Sequence, residues 1–135
     1  MKYFKFLLLF ITMGLLQACP TPDDEILAGK LLIKNSSNET LYYYEDFSIN
    51  TLNTAHINYN RLKAQILMVA DVKELNIYQY HFEKNERLYI FLFKESTIND
   101  QSWEEIKEQN LYDKRYSFTI DELNAMNWEL VYDGN

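Results

Sequence analysis

Between Lys30 and Asp133 the chain contains neither glycine nor proline. Loops that cradle phosphate, and turns that approach a dinucleotide, need glycine for close backbone contact, so both kinds of nucleotide site are excluded. Cysteine occurs once, at Cys19, and histidine twice, at His56 and His81. These few ligands leave a His/Cys metal centre almost unavailable, and no disulfide can form within the chain. Basic residues are outnumbered, 13 Lys and Arg against 20 Asp and Glu, for a net charge of −7. That balance argues against nucleic acid as a partner and against adhesion to anionic lipid, since both need basic patches. Stability must come from an apolar core alone, to which an aromatic fraction of 16% brings large side chains.

What is present begins with MKYFKFLLLFITMGLLQACP. Lys2 and Lys5 charge the start, and Phe6 to Leu16 is apolar apart from Thr12 and Gly14. Leu16-Gln17-Ala18-Cys19 then places a small residue directly before the thiol. The run is shorter than the ~20 residues that cross a bilayer, so it reads as a targeting segment. It resembles a bacterial lipoprotein signal, with Gln17 larger than the residue usual at that place. The resemblance implies cleavage after Ala18 and a diacylglyceryl thioether on Cys19, with palmitate-type chains holding the new amino terminus in a membrane. Each buried methylene contributes roughly 0.8 kcal/mol, and more than one chain makes the anchor stable. The competing reading is an ordinary secretory signal with an incidental cysteine.

Residues 1–18 are thus assigned to a cleaved signal, 19–29 to a lipidated cysteine and tether, and 30–135 to one globular domain. Pro20-Thr21-Pro22-Asp23-Asp24-Glu25 is too polar and too proline-rich to pack, so it extends at about 3.3 Å per residue. Pro20 after Cys19 resembles an outer-membrane address, and the acids that follow resemble the export mark of Bacteroidetes-type surface lipoproteins. A plain solvated linker is the other reading.

The domain reads as short strands joined by Asn- and Asp-based turns, which tolerate left-handed backbone. The turns are placed at Asn35-Ser36-Ser37-Asn38, Lys84-Asn85-Glu86 and Asn99-Asp100. Lys30 to Lys34 and Leu41 to Phe47 flank the first as a hairpin, with Leu41, Tyr43 and Phe47 on one side and Tyr42 and Tyr44 on the other. Ile66 to Val69 is a further strand after a polar stretch. Arg87 to Glu95 is apolar on both faces, Leu88, Ile90 and Leu92 against Tyr89, Phe91 and Phe93, which demands a central strand covered on both sides. Lys73 to Phe82 fits either period; a strand is preferred because Lys84-Asn85-Glu86 then turns it into the central strand.

Ser102-Trp103-Glu104-Glu105 is a capping box that starts a short helix, running to about Gln109 with Trp103 and Ile106 inward. Arg115 to Ile120 alternates, with Tyr116, Phe118 and Ile120 inside. Asp121 to Asn127 is a helical turn capped by Thr119 or Asp121, with Leu123 and Met126 turned in. Trp128, Leu130 and Tyr132 alternate as a last strand. The fold class is mainly β, a sandwich-like packing of about seven strands with a short helix near 102–109 and a helical turn near 121–126. The alternative is α+β with 73–82 helical.

Ile90 to Phe93, Ser102 to Ile106, Lys114-Arg115-Tyr116, Asp121-Glu122-Leu123 and Asn127-Trp128 together resemble a group of small Bacteroidetes-type lipoproteins without assigned function. Ile33 to Ser36 leading to Tyr42-Tyr43-Tyr44 is similar to the start of that group. The likeness covers the last third well, the first strands loosely, and 48–86 not at all. It implies an envelope location and offers no catalytic residue.

The residues themselves give no catalytic constellation. His56 falls in a polar loop and His81 between Tyr80 and Phe82, as exposed or strand-edge imidazoles. Glu104 and Glu105 point apart on a helix, and no glycine-flanked serine is present. No metal or cofactor is expected. The leading reading is a non-enzymatic, lipid-anchored binding domain of the outer membrane, exposed at the cell surface in one version, which meets a protein or another envelope component. A second is a glycan-binding module using strand tyrosines, with Tyr42, Tyr44, Tyr78 and Tyr80 as candidates beside Tyr43 and Tyr89; as strand residues they serve equally to pack. The third is a hydrolase, which needs facing carboxylates in a deep pocket.

Overall fold

The computed structural model describes residues 26–48, 51–52, 59–84 and 87–135. Cys19, the Pro-Asp tether up to Glu25, His56 and the Asn85-Glu86 turn lie outside the described residues. In chain order the elements are β1 (Leu27–Asn35), β2 (Leu41–Asp46), α1 (Tyr59–Ala64), β3 (Ile66–Leu67), β4 (Val72–Tyr78), α2 (Tyr80–Lys84) and β5 (Leu88–Lys94). There follow α3 (Glu95–Asp100), α4 (Trp103–Glu108), β6 (Lys114–Phe118), α5 (Ile120–Ala125) and β7 (Glu129–Tyr132).

The seven strands form a three-stranded sheet ordered β4-β1-β7 and a four-stranded sheet ordered β3-β2-β5-β6. Among the described residues only the β1–β7 pair is parallel. The chain is mainly β, as its alternating patterns predict. Alternation decides what each face covers. Leu31, Ile33 and Ile77 of one sheet meet Leu41, Tyr43, Leu88, Ile90 and Leu92 of the other in a shared core, closed at one side by Leu123 of α5. The opposite face of β2 and β5 carries Tyr42, Tyr44, Phe91 and Phe93, which pack beneath Leu62 of α1, Ile98 of α3 and Ile106 of α4. The double-sided strand foreseen at Arg87 to Glu95 is therefore β5, covered by a sheet on one face and by short helices on the other.

Two expected hairpins are absent. β1 and β2 belong to different sheets, because the chain after Asn35 turns across the sandwich instead of back along it. The fully buried Asn35 causes this. Its side-chain nitrogen donates to the carbonyls of Glu39, Leu67 and Met68 at 2.8, 3.1 and 3.1 Å, and its oxygen accepts from the Ser37 amide and hydroxyl at 3.0 and 2.6 Å. One amide thus ties the end of β1 to β3 of the facing sheet. Likewise β4 pairs with β1 and β5 with β2, so the chain between them crosses from sheet to sheet. The ambiguous stretch is divided: it is strand to Tyr78 and helix from Tyr80, which explains why both periods fit.

Helices without proline or glycine start and stop on other chemistry. Ser102 and Glu105 form the expected capping box on α4, and Thr119 with Glu122 forms a second on α5. Their role at the two caps holds both glutamates below the usual carboxylate range: for Glu105 the bonds from Ser102, for Glu122 chiefly the Thr119 amide. Both helices end on asparagine in the left-handed region, Asn110 at φ 56° and Asn127 at φ 53°. Leu111 N–H reaches the Ile106 carbonyl at 2.9 Å and Trp128 N–H the Leu123 carbonyl at 2.9 Å, the closing bonds of Schellman turns. Asparagine thus fills the glycine role, though at these positions. Asn99 and Asp100, expected in a turn, sit in the last turn of α3.

Gly29 lies where the β1–β4 register slips, and a Cβ there would collide with the Trp128 indole. Its missing side chain is the space the ring occupies. Gly29→Ala is expected to cost about 1–3 kcal/mol, read by urea unfolding followed through tryptophan emission. Asn35→Ala strips partners from buried carbonyls and is expected to cost at least about 2 kcal/mol in the same measurement. The exposed neighbour Asn38→Ala should change stability by less than about 0.5 kcal/mol.

Candidate functional site

β2 ends at the mouth of the sandwich, where its alternation continues one residue beyond the apolar set. Leu41 and Tyr43 face the facing sheet, so Glu45, next in that row, directs a carboxylate toward the same inter-sheet space. Across from it stand Leu75, Asn76 and Ile77 of β4. With Asp46, Phe47, Ser48, Arg61 and His81 they line a cleft of about 380 Å³. Burial is the main cause that lifts the Glu45 carboxyl above its ordinary range; Gln65, whose Nε2 donates to Glu45 Oε2 at 2.8 Å, and the nearby Arg61 act the other way.

Asp46 follows in the strand and points to the opposite face. It accepts the Tyr44 hydroxyl on one oxygen and the Ser48 amide and hydroxyl on the other, at 2.7 and 2.8 Å. This is a turn that closes β2, so Asp46 is engaged in structure. Burial, and then the bond to Asp46, push the Tyr44 phenol well above its ordinary value. The acids nearest one another in the cleft therefore do not face each other across a substrate gap, as paired-carboxylate hydrolysis requires.

The imidazole of His81 is wedged between rings. Phe47 stacks on it with centroids 4.3 Å apart and Tyr80 leans on it at 4.1 Å. The Tyr78 amide points at Nδ1 from 3.4 Å, which leaves Nε2 as the protonated nitrogen of the neutral ring. His81 is thus held in an aromatic cluster at the start of α2, rather than at a strand edge. Among the described residues no group of three or more His, Cys, Asp or Glu could hold a metal ion.

The tyrosine candidates divide. Tyr42 and Tyr44 are 8% and 5% exposed, their rings under the helical layer, so they offer no platform to a sugar. Tyr43 is buried between the sheets and Tyr89 is half-buried. Only Tyr78 and Tyr80 come together near the surface, stacked at 5.9 Å, with Tyr80 45% exposed. Glu104 pairs with Lys107 at 3.0 Å and Glu105 caps its helix. A second hollow beside α3 contains Asp113, already bound to the Lys94 amide and the Thr97 hydroxyl at 2.8 Å each. The cleft residues Glu45, Phe47, Arg61 and Asn76 were not singled out by sequence. The available signal was the parity of Leu41, Tyr43 and Glu45, which sets one carboxylate in an apolar row. No known protein family, curated protein or solved structure matches the chain.

The raised pKa of Glu45 carries a stability consequence. Native Glu45 holds its proton to higher pH than the unfolded chain does, so stability falls as pH rises from the ordinary carboxylate range through the native value. Glu45→Gln removes that loss. Its amide also brings a donor to this region, where the buried Gln65 Oε1 has no partner among the described residues. The variant is expected to be the more stable at neutral pH and to lose its advantage below the ordinary carboxylate range, as measured by urea unfolding of both proteins across that window.

Proposed function

We propose that the chain is a lipid-anchored envelope lipoprotein that acts by binding, akin to the small Bacteroidetes-type lipoproteins it resembles. The membrane is its first partner, through acyl chains on Cys19, and the outer membrane is its site. The observation that carries the reading is the charged start and apolar run ending at Leu16-Gln17-Ala18-Cys19, which resembles a lipoprotein signal. No helix among the described residues is long and apolar enough to cross a membrane.

The cleft at Glu45 is the recognition site in this reading. A carboxylate, the Arg61 guanidinium, the Asn76 amide and an apolar floor of Leu75 and Ile77 suit a polar group with one greasy side, borne by a protein or an envelope glycan. Glycan binding through a row of strand tyrosines loses Tyr42 and Tyr44, and the cleft takes their place as the surface to test. Among the described residues of the cleft, the hydrolase reading lacks its second facing carboxylate.

In the producing cell, the wild-type chain is expected to take up labelled palmitate and to have lost its first 18 residues by mass, whereas Cys19→Ala takes up none and keeps its leader. A wild-type chain with a free thiol or an intact leader would contradict the anchor. On a glycan array, binding that Asn76→Ala abolishes would assign the cleft to sugar; no binding by the wild type would leave a protein partner.

A further inference from the structure

We propose that the pole of the sandwich where β1 begins rests against the bilayer that holds the anchor, with Ile26, Leu27, Tyr78 and Tyr80 seated among zwitterionic headgroups. This rests on the lipidation of Cys19 argued above. Ile26, Leu27 and Tyr80 are 60%, 43% and 45% exposed, an unusual set of large apolar groups to leave in water. They form one patch. Leu27 pairs with Tyr78 across the strands, the Gln79 amide donates to the Ile26 carbonyl at 2.8 Å, and the Tyr78 ring stacks on Tyr80. Aliphatic side chains beside tyrosine rings are the composition that partitions into the headgroup layer.

The tether fixes what can cover the patch. Ile26 follows Cys19 by seven residues, a reach of at most about 25 Å. An anchored domain on so short a leash meets the headgroups at an effective concentration in the millimolar range, so an affinity too weak to recruit a free domain suffices to orient this one. Charge selects the lipid. Asp23, Asp24 and Glu25 lie in the leash and Glu83 is exposed on α2, while Lys30 is paired with Glu74 at 2.7 Å. Anionic headgroups are repelled, and zwitterionic ones are not.

The other exposed apolar group, Met68, Val69, Val72 and Val131, lies at the far end of β1, where Lys34 pairs with both Val72 and Val131. In the proposed pose it points away from the membrane and serves as an internal control.

The test uses the mature chain from Cys19, coupled through that single thiol to a maleimide lipid in a phosphatidylcholine nanodisc carrying a trace of headgroup-nitroxide lipid. Methyl resonances of Ile26 and Leu27 are expected to broaden strongly, while those of Met68, Val69, Val72 and Val131 keep their intensity. The triple variant Ile26→Ser, Leu27→Ser, Tyr80→Ser, read at the Gln79 backbone amide of the same patch, which broadens with those methyls in the wild type, should abolish the contrast, and Met68→Ser with Val131→Ser, read at the Val69 and Val72 methyls, should preserve it. Replacing part of the phosphatidylcholine by phosphatidylglycerol should weaken it. Equal broadening at both poles, or a contrast that survives the triple variant, overturns the proposal. Because the coupling is chemical, this result is independent of the mass of the cell-derived protein, which alone decides whether Cys19 is lipidated.

Discussion

β5 is apolar on both faces, and the rest of the structure follows from the need to dry both of them. Leu88, Ile90 and Leu92 on one side require a second sheet; Phe91 and Phe93 on the other require a roof. A two-layer sandwich would leave two phenylalanines in water, a loss of roughly 1.5–3 kcal/mol for each fully buried side chain forgone. The chain answers with three helices of six residues each over β2 and β5. Such helices are too short to stand alone. They exist because Leu62, Ile98 and Ile106 find the aromatic face already laid out for them.

Crossing between sheets without glycine or proline sets the second constraint. Where a chain must reverse, side-chain amides supply what glycine would: Asn110 and Asn127 accept left-handed backbone, and Asn35 replaces a turn with bonds to three carbonyls. Two described residues depart from this, Ala70 at φ 61° and Trp128, of which the second is the bulkier. Trp128 itself adopts φ 58° and needs the bare backbone of Gly29 for its ring, with Nε1 bonded to Asn124 at 2.9 Å. A bulky residue in that conformation is strained, and the strain is offset by the partial burial of the ring against the core and the turn that α5 requires.

The polar features of the molecule gather where the sheets part. Glu45 is a residue of the core row that has run past the core, and His81 is held by Phe47 and Tyr80 at the same mouth. His81 therefore belongs at once to the lining of the cleft and to the aromatic cluster of the β1 pole. The cleft and the aromatic pole share this side chain, which makes the two surfaces neighbours by construction.

Local chemistry was legible in the amino-acid sequence wherever a short pattern has one physical solution. The capping box at Ser102, the two faces of β5, the split of Leu41 and Tyr43 from Tyr42 and Tyr44, and the alternation of Leu130 and Tyr132 are all of this kind, because the periods of helix and strand fix which side chains share a face. Pairing was not legible. β1 and β2 alternate as well for a hairpin as for two facing sheets, and only the burial of Asn35 against Leu67 and Met68 decides between them. The same limit governed the site. Tyrosines look alike in sequence whether they pack or stand exposed, and Tyr42 and Tyr44 were buried by helices whose positions depend on β5, a long-range contact that no local pattern encodes. What the sequence determined by itself was thus the sidedness of each strand. What the tertiary structure decided was which strands meet, since partners distant along the chain are chosen by the total surface they bury together.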